Sequence, residues 1–326
     1  MKSLLRHLPG IALLAICALS GSARAEGYPG QPIRLVVPFT PGGGTDAVAR
    51  LIADKLARNP AGWTLVIDNR PGAGGNIGMD TVAKSRPDGL TLAMGQTSTM
   101  AINPALYPKL AFDTLKDFVP VALVASQPMV VVVRADGPYK TLSALVEAAR
   151  AHPMQLTQAL AGTGTVGHLA GEMFGRRAGF RFVDVPYKGA APALQDLIGG
   201  QTDFMFATPQ SVLALVKGGR LRALGVTSLR RLPVLPDTPT LDESGYKGFE
   251  ATDWKLIVAP AGTPATVVRQ INAAVDKALG DPATIGQLLA DGSTPMKGTP
   301  EQATAFVKAE YQRWGLAVRQ AAATAN

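Results

Sequence analysis

Strand-like runs alternate with amphipathic helical runs along this chain, and this alternation constrains its fold more than any other feature. Residues 33–37 form an apolar run, and after a glycine-rich loop Val48, Ile52 and Leu56 fall on one helical face. The same order recurs along most of the sequence. Strands that alternate with helices predict parallel βαβ units, and therefore an α/β fold.

The length of the chain predicts more than one such unit. The sequence has 326 residues, which is more than a single hydrophobic core usually serves. A β-branched stretch over residues 120–133 is interrupted by Pro128, and a second series of strands and helices follows it. We therefore expect two domains, each a mostly parallel sheet flanked by helices.

The N-terminus has the pattern of a cleavable secretion signal. The first seven residues form a basic segment with Lys2 and Arg6, residues 11–19 are almost wholly apolar, and Ala23 and Ala25 are small side chains at the cleavage positions. The apolar run is shorter than the roughly 20 residues that span a bilayer. We expect a signal peptide over residues 1–25 and a mature chain that begins at Glu26.

The only cysteine, Cys17, lies within this leader. A lipoprotein signal would have a small residue before the cysteine, where this chain has Ile16. The mature chain is therefore expected to have no disulfide, no thiolate chemistry and no lipid anchor. Export without disulfides fits a bacterial periplasm better than a small disulfide-stapled extracellular domain.

The charge pattern argues against a nucleic-acid partner. The formal net charge is +8, and loss of Lys2, Arg6 and Arg24 with the leader leaves +5. No run of Lys or Arg is longer than two residues, and aromatic residues are not interleaved with basic ones. A mild positive excess is compatible with an anionic ligand. No later apolar stretch is long enough to predict stable insertion in a membrane.

Loops rich in glycine and hydroxyl residues follow several of the predicted strands. The first is PGGGTD at residues 41–46, and comparable loops lie at residues 69–80, 95–99 and 161–168. Glycine allows close approach to a ligand, and the N–H groups and dipole of a helix N-terminus attract an anion. Loops at the carboxyl ends of strands line the ligand crevice in such sheets. The pattern predicts an anion site without identifying the anion.

A dinucleotide-binding enzyme is one interpretation of the first loop. Gly42, Gly44 and Ala47 match the relaxed G-x-G-x-x-A fingerprint, and Asp68 follows at a strand end, where a ribose-binding acid would lie. Against this interpretation, Pro41 directly precedes the glycines, and the export signal removes the protein from the nicotinamide pool. No Gly-Lys-Ser/Thr follows the glycines, which excludes a P-loop. We expect no cofactor.

A hydrolase or a metalloenzyme is the second alternative. The chain has no G-x-S-x-G motif, and beyond the leader its only histidines are His152 and His168. His168 begins a predicted helix, where it could be a ligand contact, a capping group or a general base, with Thr165 as the nearest hydroxyl in sequence. Without cysteines or a paired carboxylate motif, metal ligands are lacking. We expect no catalytic residue and no metal.

Long stretches of the sequence resemble one family. They include PIRLVVPFTPGGGTDAVARLIADKL, GTGTVGHLAGEMF and PYKGAAPALQDLIGGQTDFMF, and they resemble the Bug receptors, the substrate-binding proteins of tripartite tricarboxylate transporters. The resemblance extends in order over residues 28–320. It implies a two-lobed, type II-like periplasmic binding protein that closes about a hinge. It also implies a small carboxylate ligand, such as a dicarboxylate, an amino acid or an aromatic acid, and transient contact with membrane transporter subunits. We expect a monomer.

The resemblance further implies that main-chain amides, hydroxyls and ordered waters hold the carboxylate, rather than an arginine. The residues that correspond in the first lobe are Pro41, Gly42, Gly43, Gly44, Asp46, Asn76, Gln96 and Thr97. Those in the second lobe are Gly162, Thr163, Thr165, His168 and Asp203. Two positions depart from the family pattern. Val166 stands where a hydroxyl residue is common, and Leu256 stands where glycine is usual, on the hinge side.

The loop pattern and the resemblance together predict a cleft between two lobes. We expect lobe 1 to comprise residues 26–125 and 229–326, and lobe 2 to comprise residues 126–228. A periplasmic enzyme that uses the same cleft is the alternative, although the sequence offers no acid–base pair for it. A sensor receptor without transport is also compatible with the sequence, and the particular carboxylate is not specified.

Overall fold

The computed structural model describes residues 28–58 and 62–321. The predicted signal peptide, the cleavage site before Glu26 and Cys17 lie outside these residues. Within them the chain forms two β-sheets with helices packed against each, so the predicted α/β class is confirmed. None of the helices in this part of the chain is long and apolar enough to cross a membrane.

Strands and helices alternate in the predicted order. The strands are β1 (Ile33–Val37), β2 (Leu65–Asn69), β3 (Thr91–Gln96), β4 (Phe118–Pro128), β5 (Val130–Arg134), β6 (Thr157–Leu160), β7 (Val183–Pro186), β8 (Phe204–Ala207), β9 (Leu221–Val226), β10 (Thr252–Pro260) and β11 (Thr294–Pro295). The helices are α1 (Gly44–Ala57), α2 (Asn76–Ala83), α3 (Asn103–Leu106), α4 (Leu142–Ala151), α5 (Val166–Ala178), α6 (Ala190–Ile198), α7 (Pro209–Lys217), α8 (Ala265–Gly280), α9 (Pro282–Ala290) and α10 (Pro300–Ala321).

The first sheet has the strand order β11-β4-β10-β3-β1-β2. Strand β1 pairs in parallel with β2 and β3, as expected of βαβ units. Strand β10 lies between β3 and β4 and is antiparallel to both, and β11 is antiparallel to β4. A segment that returns from the second sheet therefore completes the first.

The second sheet has the order β7-β6-β8-β5-β9. Strand β6 is parallel to β7 and β8, whereas β5 is antiparallel to β8 and β9. Each sheet is therefore mixed, where the sequence predicted mostly parallel sheets. The antiparallel pairs all involve β4, β5 or β10, strands that lie next to a crossing between the sheets. A parallel pair needs a crossover connection, usually a helix, and these strands lack one.

The two crossings between the sheets lie side by side. Strand β4 ends at Pro128 in the first sheet and β5 begins at Val130 in the second, so Met129 alone separates them. Thr227 N donates to Met129 O at 2.9 Å, Met129 N donates to Thr227 Oγ1 at 2.8 Å, and Ala251 N donates to Thr227 O at 3.1 Å. We call Met129, Thr227 and Ala251 the hinge, because these bonds tie both crossings together.

The segment between β9 and β10, residues 228–250, packs on the second sheet. Leu232 is buried in the core of that sheet, and Thr240 forms a bridge with Val226 at the end of β9. The sequence prediction had assigned this segment to the first lobe. The exact division of the chain into lobes remains a prediction.

Helix α10 covers the first sheet behind the hinge. Ala303, Val307 and Trp314 lie on its buried face. The carboxylate Oε2 of Glu310 accepts the indole N–H of Trp254 at 2.7 Å and that of Trp314 at 3.0 Å. These contacts fix the start of β10, the strand that contributes Asp253 to the site described next.

Candidate ligand-binding site

A cavity lies between the two lobes, with about 580 Å³ of empty space that includes space open to solvent. The lining residues of the first lobe are Phe39, Thr40, Gly43, Gly44, Thr45, Gln96 and Asp253. Those of the second lobe are Ala161, Thr165, Val166, Gly167, Gly189, Ala190, Met205, Phe206, Ala207, Thr208 and Ser211, with Met129 at the hinge. Most of them follow the carboxyl ends of β1, β3, β6, β7 and β8, where ligand crevices form in α/β sheets.

Helices α1, α5, α6 and α7 all begin at this cavity, and residues at or beside their first positions line it. No side chain caps α1, α6 or α7. The first N–H groups of an uncapped helix have no partner within the helix, and the helix dipole adds partial positive charge there. The lining residues include no Lys or Arg, so the lining presents backbone N–H groups rather than a cationic side chain to an anion.

The first-lobe loop is fixed from behind by Asp46. Its Oδ2 accepts the Gly42 N–H at 3.0 Å and Arg50 Nε at 2.9 Å, and its Oδ1 accepts Asn69 Nδ2 at 2.9 Å. Burial opposes ionisation, but the hydrogen bonds from Arg50, Gly42 and Asn69 outweigh it and lower the pKa of Asp46. Asp46 therefore holds the glycine loop in place as a carboxylate, with Gly42 at a φ of +83° that suits glycine.

The second-lobe loop is fixed by Thr165 and His168. Thr165 Oγ1 donates to Gly162 O at 2.9 Å and accepts His168 N at 3.3 Å, so it caps α5. His168 Nδ1 accepts the Gly164 N–H at 3.2 Å, and its Nε2 lies 3.2 Å from Asp184 Oδ2. Of the three roles that the sequence left open for His168, the capping group is nearest to this geometry, in which the ring braces the loop.

Glu172 completes a group with His168 and Asp184 whose ligand atoms lie within 4.8 Å of one another. Burial, and then the charge of Asp184, raises the pKa of Glu172. These side chains are of the types that bind metals. Both ring nitrogens of His168 are already engaged, by Gly164 and by Asp184, which fits a brace behind the loop better than a metal centre.

The structure brings part of the predicted residue set to the cavity. The predicted residues that line it are Gly43, Gly44, Gln96 and Thr165. Those that belong to the two loops without lining it are Pro41, Gly42, Asp46, Gly162, Thr163 and His168. Gln96 Oε1 accepts the hydroxyl of Thr45, and Gln96 Nε2 donates to Ser98 Oγ at 2.9 Å. The predicted loops are therefore at the cavity, whereas only some of the predicted side chains face it.

Two further predicted residues, Asn76 and Thr97, make contacts within the protein, as does Thr163. Asn76 Oδ1 accepts Asn103 Nδ2 at 2.6 Å, and Thr97 Oγ1 accepts the backbone N–H of Trp254 at 2.8 Å. Thr163 O lies 3.4 Å from its donor, the hydroxyl of Tyr107 in the first lobe. Thr163 thus lies at a contact between the lobes.

Asp203 lies away from the cavity. It precedes β8, at the amino end of that strand, and its Oδ2 accepts Thr157 N at 2.8 Å and Thr157 Oγ1 at 2.9 Å. The cavity is at the carboxyl end of β8, where Ala207 lines it. The sequence expectation that Asp203 lies near the cleft is therefore corrected. Its carboxylate connects the amino ends of β6 and β8, at the opposite end of these strands from the cavity.

Sequence reasoning missed several lining residues. Thr40, Gly189 and Thr208 follow strands in loops of the same glycine- or hydroxyl-containing kind, so the pattern used for the other loops could have found them. The loops meet across the cleft: a side chain on Gly189 would collide with Thr40 Oγ1, and one on Gly44 would lie 2.9 Å from Thr208 Oγ1. No pattern of the sequence indicated Asp253. These short distances between the loops show that the two lobes are in contact at the cavity.

Comparison with known proteins places this architecture in one family. Residues 48–322 match the model of the tripartite tricarboxylate transporter family receptor. Protein BugT of Bordetella pertussis is 37% identical over 311 residues, which cover 95% of each protein. The chain therefore belongs to this receptor family, whose members include the Bug proteins.

Two solved structures are closely similar. The R. palustris protein Rpa4515, determined with adipate, has a TM-score of 0.87 and 36% identity over 90% of this chain and 98% of its own. The periplasmic binding protein BugD has a TM-score of 0.86 and 36% identity over 91% of this chain and 99% of its own. The two-lobed binding-protein fold that the sequence predicted is confirmed, and the chain is a solute-binding receptor.

Proposed function

We propose that this receptor captures a small carboxylate in the cavity between its lobes and delivers it, in the periplasm, to the membrane subunits of a tripartite transporter. The observation that supports this most is the convergence of uncapped helix N-termini from both lobes on one cavity. Helix α1 comes from the first lobe, and α6 and α7 come from the second. Such N-termini are common anion sites, and one anion can join the lobes by accepting from both.

The lining also suits the carbon part of a small acid. Phe39, Met129, Met205 and Phe206 provide apolar contacts, while Gln96 and Thr165 provide polar ones. The similar protein Rpa4515 was determined with adipate, a carboxylate with an extended carbon chain. The carboxylate end would then lie at the helix N-termini and the chain against the apolar side chains.

The receptor is expected to act without chemical change to its ligand. The described lining contains no histidine or lysine, and its one carboxylate, that of Asp253, is paired with Lys255. We expect export by the predicted signal peptide, a monomer in solution and only transient contact with transporter subunits. Recovery of the bound acid unchanged after long incubation separates this receptor from the alternative, a periplasmic enzyme acting in the same cleft.

A thermal-shift screen of small carboxylates tests the proposal, on protein unfolded and refolded to remove any carried ligand. At a concentration near 100 times Kd, a ligand should stabilise the fold by about 2.7 kcal/mol, which is a shift of a few degrees. The primary amide of the best acid should give little shift. Equal shifts from the acid and its amide would contradict an anion site, and a shift with NAD alone would favour the dinucleotide interpretation.

A further inference from the structure

Asp253 is a buried acid in the wall of the cavity. It lies near the start of β10, which runs between β3 and β4 in the first sheet, and 4% of its surface is exposed. Its position in the middle of the sheet, rather than on a loop, holds the carboxylate rigidly. The cavity therefore has one ionisable side chain in its wall, and that side chain is fixed.

The two oxygens of Asp253 differ. Oδ2 accepts from Lys255 Nζ at 2.9 Å, and the Lys255 side chain is fully buried. Oδ1 is buried as well and has no hydrogen-bond partner among the described residues. Gln127 Nε2 and Gln210 Oε1 also lack partners there, but neither side chain lines the cavity, and each amide is bonded through its other atom.

The chemistry of this oxygen restricts the ligand. A buried acceptor without a donor is costly, so a ligand that donates to Oδ1 gains over one that does not. A second carboxylate at this point would be repelled by Asp253. An ammonium would be attracted by Asp253, less strongly because Lys255 already balances its charge, and would add a further positive charge to the cavity wall. A hydroxyl donates the missing hydrogen bond and adds no charge.

We propose that the receptor selects hydroxycarboxylates, with the ligand hydroxyl donating to Asp253 Oδ1 while the carboxylate lies at the helix N-termini. This inference rests on the proposed function, because it describes the same ligand in the same cavity. It makes Asp253 a specificity-determining residue. Lys255 is then a positioning residue, which keeps the charge of Asp253 balanced without touching the ligand.

Calorimetric titration of the wild-type protein with matched acids tests the proposed preference for hydroxycarboxylates. The pairs are malate with succinate, 3-hydroxybutyrate with butyrate, lactate with propionate and mandelate with phenylacetate, with both enantiomers of each hydroxy acid. In the pair that binds most tightly, the hydroxy acid should bind about 5- to 150-fold more tightly than its deoxy partner. Aspartate, the amino counterpart of malate, should bind more weakly than malate.

The outcomes separate this inference from the proposed function. Deoxy acids that bind as tightly as hydroxy acids would overturn the hydroxyl selection and leave the carboxylate receptor intact. Tighter binding of the amino acid would overturn the choice of hydroxyl over ammonium. If no carboxylate of the series or of the wider screen binds, the proposed function fails, and this inference fails with it.

A double variant, Asp253→Ala with Lys255→Met, removes the acceptor and its counter-charge together. A single change would leave one buried charge unpaired, which is strongly destabilising. In the double variant the preference for the hydroxy acid should fall below about twofold, since no acceptor remains. A preference that persists would overturn the assignment.

A control double variant is Arg34→Met with Asp68→Ala, which removes a partly buried ion-pair group of the first sheet away from the cavity lining, where Asp68 also pairs with Arg70. This control should keep the full hydroxyl preference, and its loss there would equally overturn the role of Asp253. Should the double variant not fold, the wild-type series still decides whether the receptor prefers hydroxy acids.

Discussion

The two glycine loops that meet at the cavity are similar in sequence but are held by different means. The first-lobe loop is braced by Asp46, whose pKa is lowered, so that brace stays ionised well below neutral pH. The second-lobe loop is braced by Thr165 and His168, and behind them Glu172 has a raised pKa. A glycine loop of this kind can therefore be held by a charge-assisted network, as at Asp46, or by a helix cap and a ring nitrogen, as at Thr165 and His168. Removal of the two kinds of brace should have different effects on stability and on ligand binding.

The largest effect is expected from Asp46→Ala. This change leaves the Gly42 N–H and the Asn69 amide without their charged acceptor, so the free energy of unfolding should fall by about 2–4 kcal/mol at pH 7. Urea denaturation measures it. The matched control is Asp54→Ala on the same helix, where an exposed ion pair with Arg58 should contribute less than about 0.5 kcal/mol. Equal losses in the two variants would remove the distinction between brace and surface pair.

The difference in unfolding free energy between wild type and Asp46→Ala should depend on pH in a defined direction. A carboxylate with a lowered folded-state pKa stabilises the fold above its unfolded pKa, which is near 3.9, and this contribution is lost as pH falls through the lowered value. The gap between wild type and Asp46→Ala should therefore be constant from pH 5 to 8 and narrow towards pH 3. A gap that widens on acidification would contradict the ionised brace.

The next effect concerns the second loop. His168→Ala removes the acceptor of the Gly164 N–H, and the affinity for the tightest acid of the screen should fall about tenfold. His168→Asn offers an oxygen near the position of Nδ1 and should restore part of the lost affinity. The exposed His152→Ala is the control and should bind normally. No loss in His168→Ala would mean that the loop needs no support from this ring.

Thr165→Val should have a smaller effect on stability and a selective effect on binding. It deletes the N-cap hydroxyl of α5, which costs about 1 kcal/mol of stability. Thr141→Val deletes the corresponding cap of α4, outside the cavity lining, at similar cost. Calorimetry should show weakened ligand binding in Thr165→Val alone. Equal binding in both variants would show that the Thr165 hydroxyl acts only as a cap.

The smallest effect is expected from Glu172→Gln. A carboxyl group with a raised folded-state pKa favours the fold at low pH, and this contribution is lost as pH rises through the raised value. The variant should therefore gain stability relative to wild type between pH 4 and 8, by less than about 1 kcal/mol. Glu147→Gln, at an exposed position on α4, should show no such trend. A gain that decreases with pH would contradict the burial of Glu172.

The sequence predicted the architecture well where its signals were local. Strand β1 has the predicted bounds, because its apolar run ends at the glycine-rich loop. The mixed pairing of the sheets was not predicted, since pairing depends on where β10 inserts between β3 and β4. No local pattern reports that insertion.

The side chains of the site were harder to predict than its loops. Asp203 precedes the four-residue strand β8, so the rule that ligand crevices form at the carboxyl ends of strands could have excluded it. Asp253 and Lys255 resemble a solvated pair in sequence, yet both are buried because β10 is an inner strand of its sheet. Burial of this kind is set by tertiary packing rather than by local propensity.

The central claim is that one carboxylate is held by both lobes, and small-angle X-ray scattering with and without the tightest acid tests it most directly. A ligand favours the closed form only through contacts that the open form lacks, such as those to helices from both lobes. The radius of gyration should therefore decrease on saturation with the acid and stay unchanged with its primary amide. An identical radius with and without saturating acid would contradict the two-lobed clamp and assign the ligand to one lobe alone.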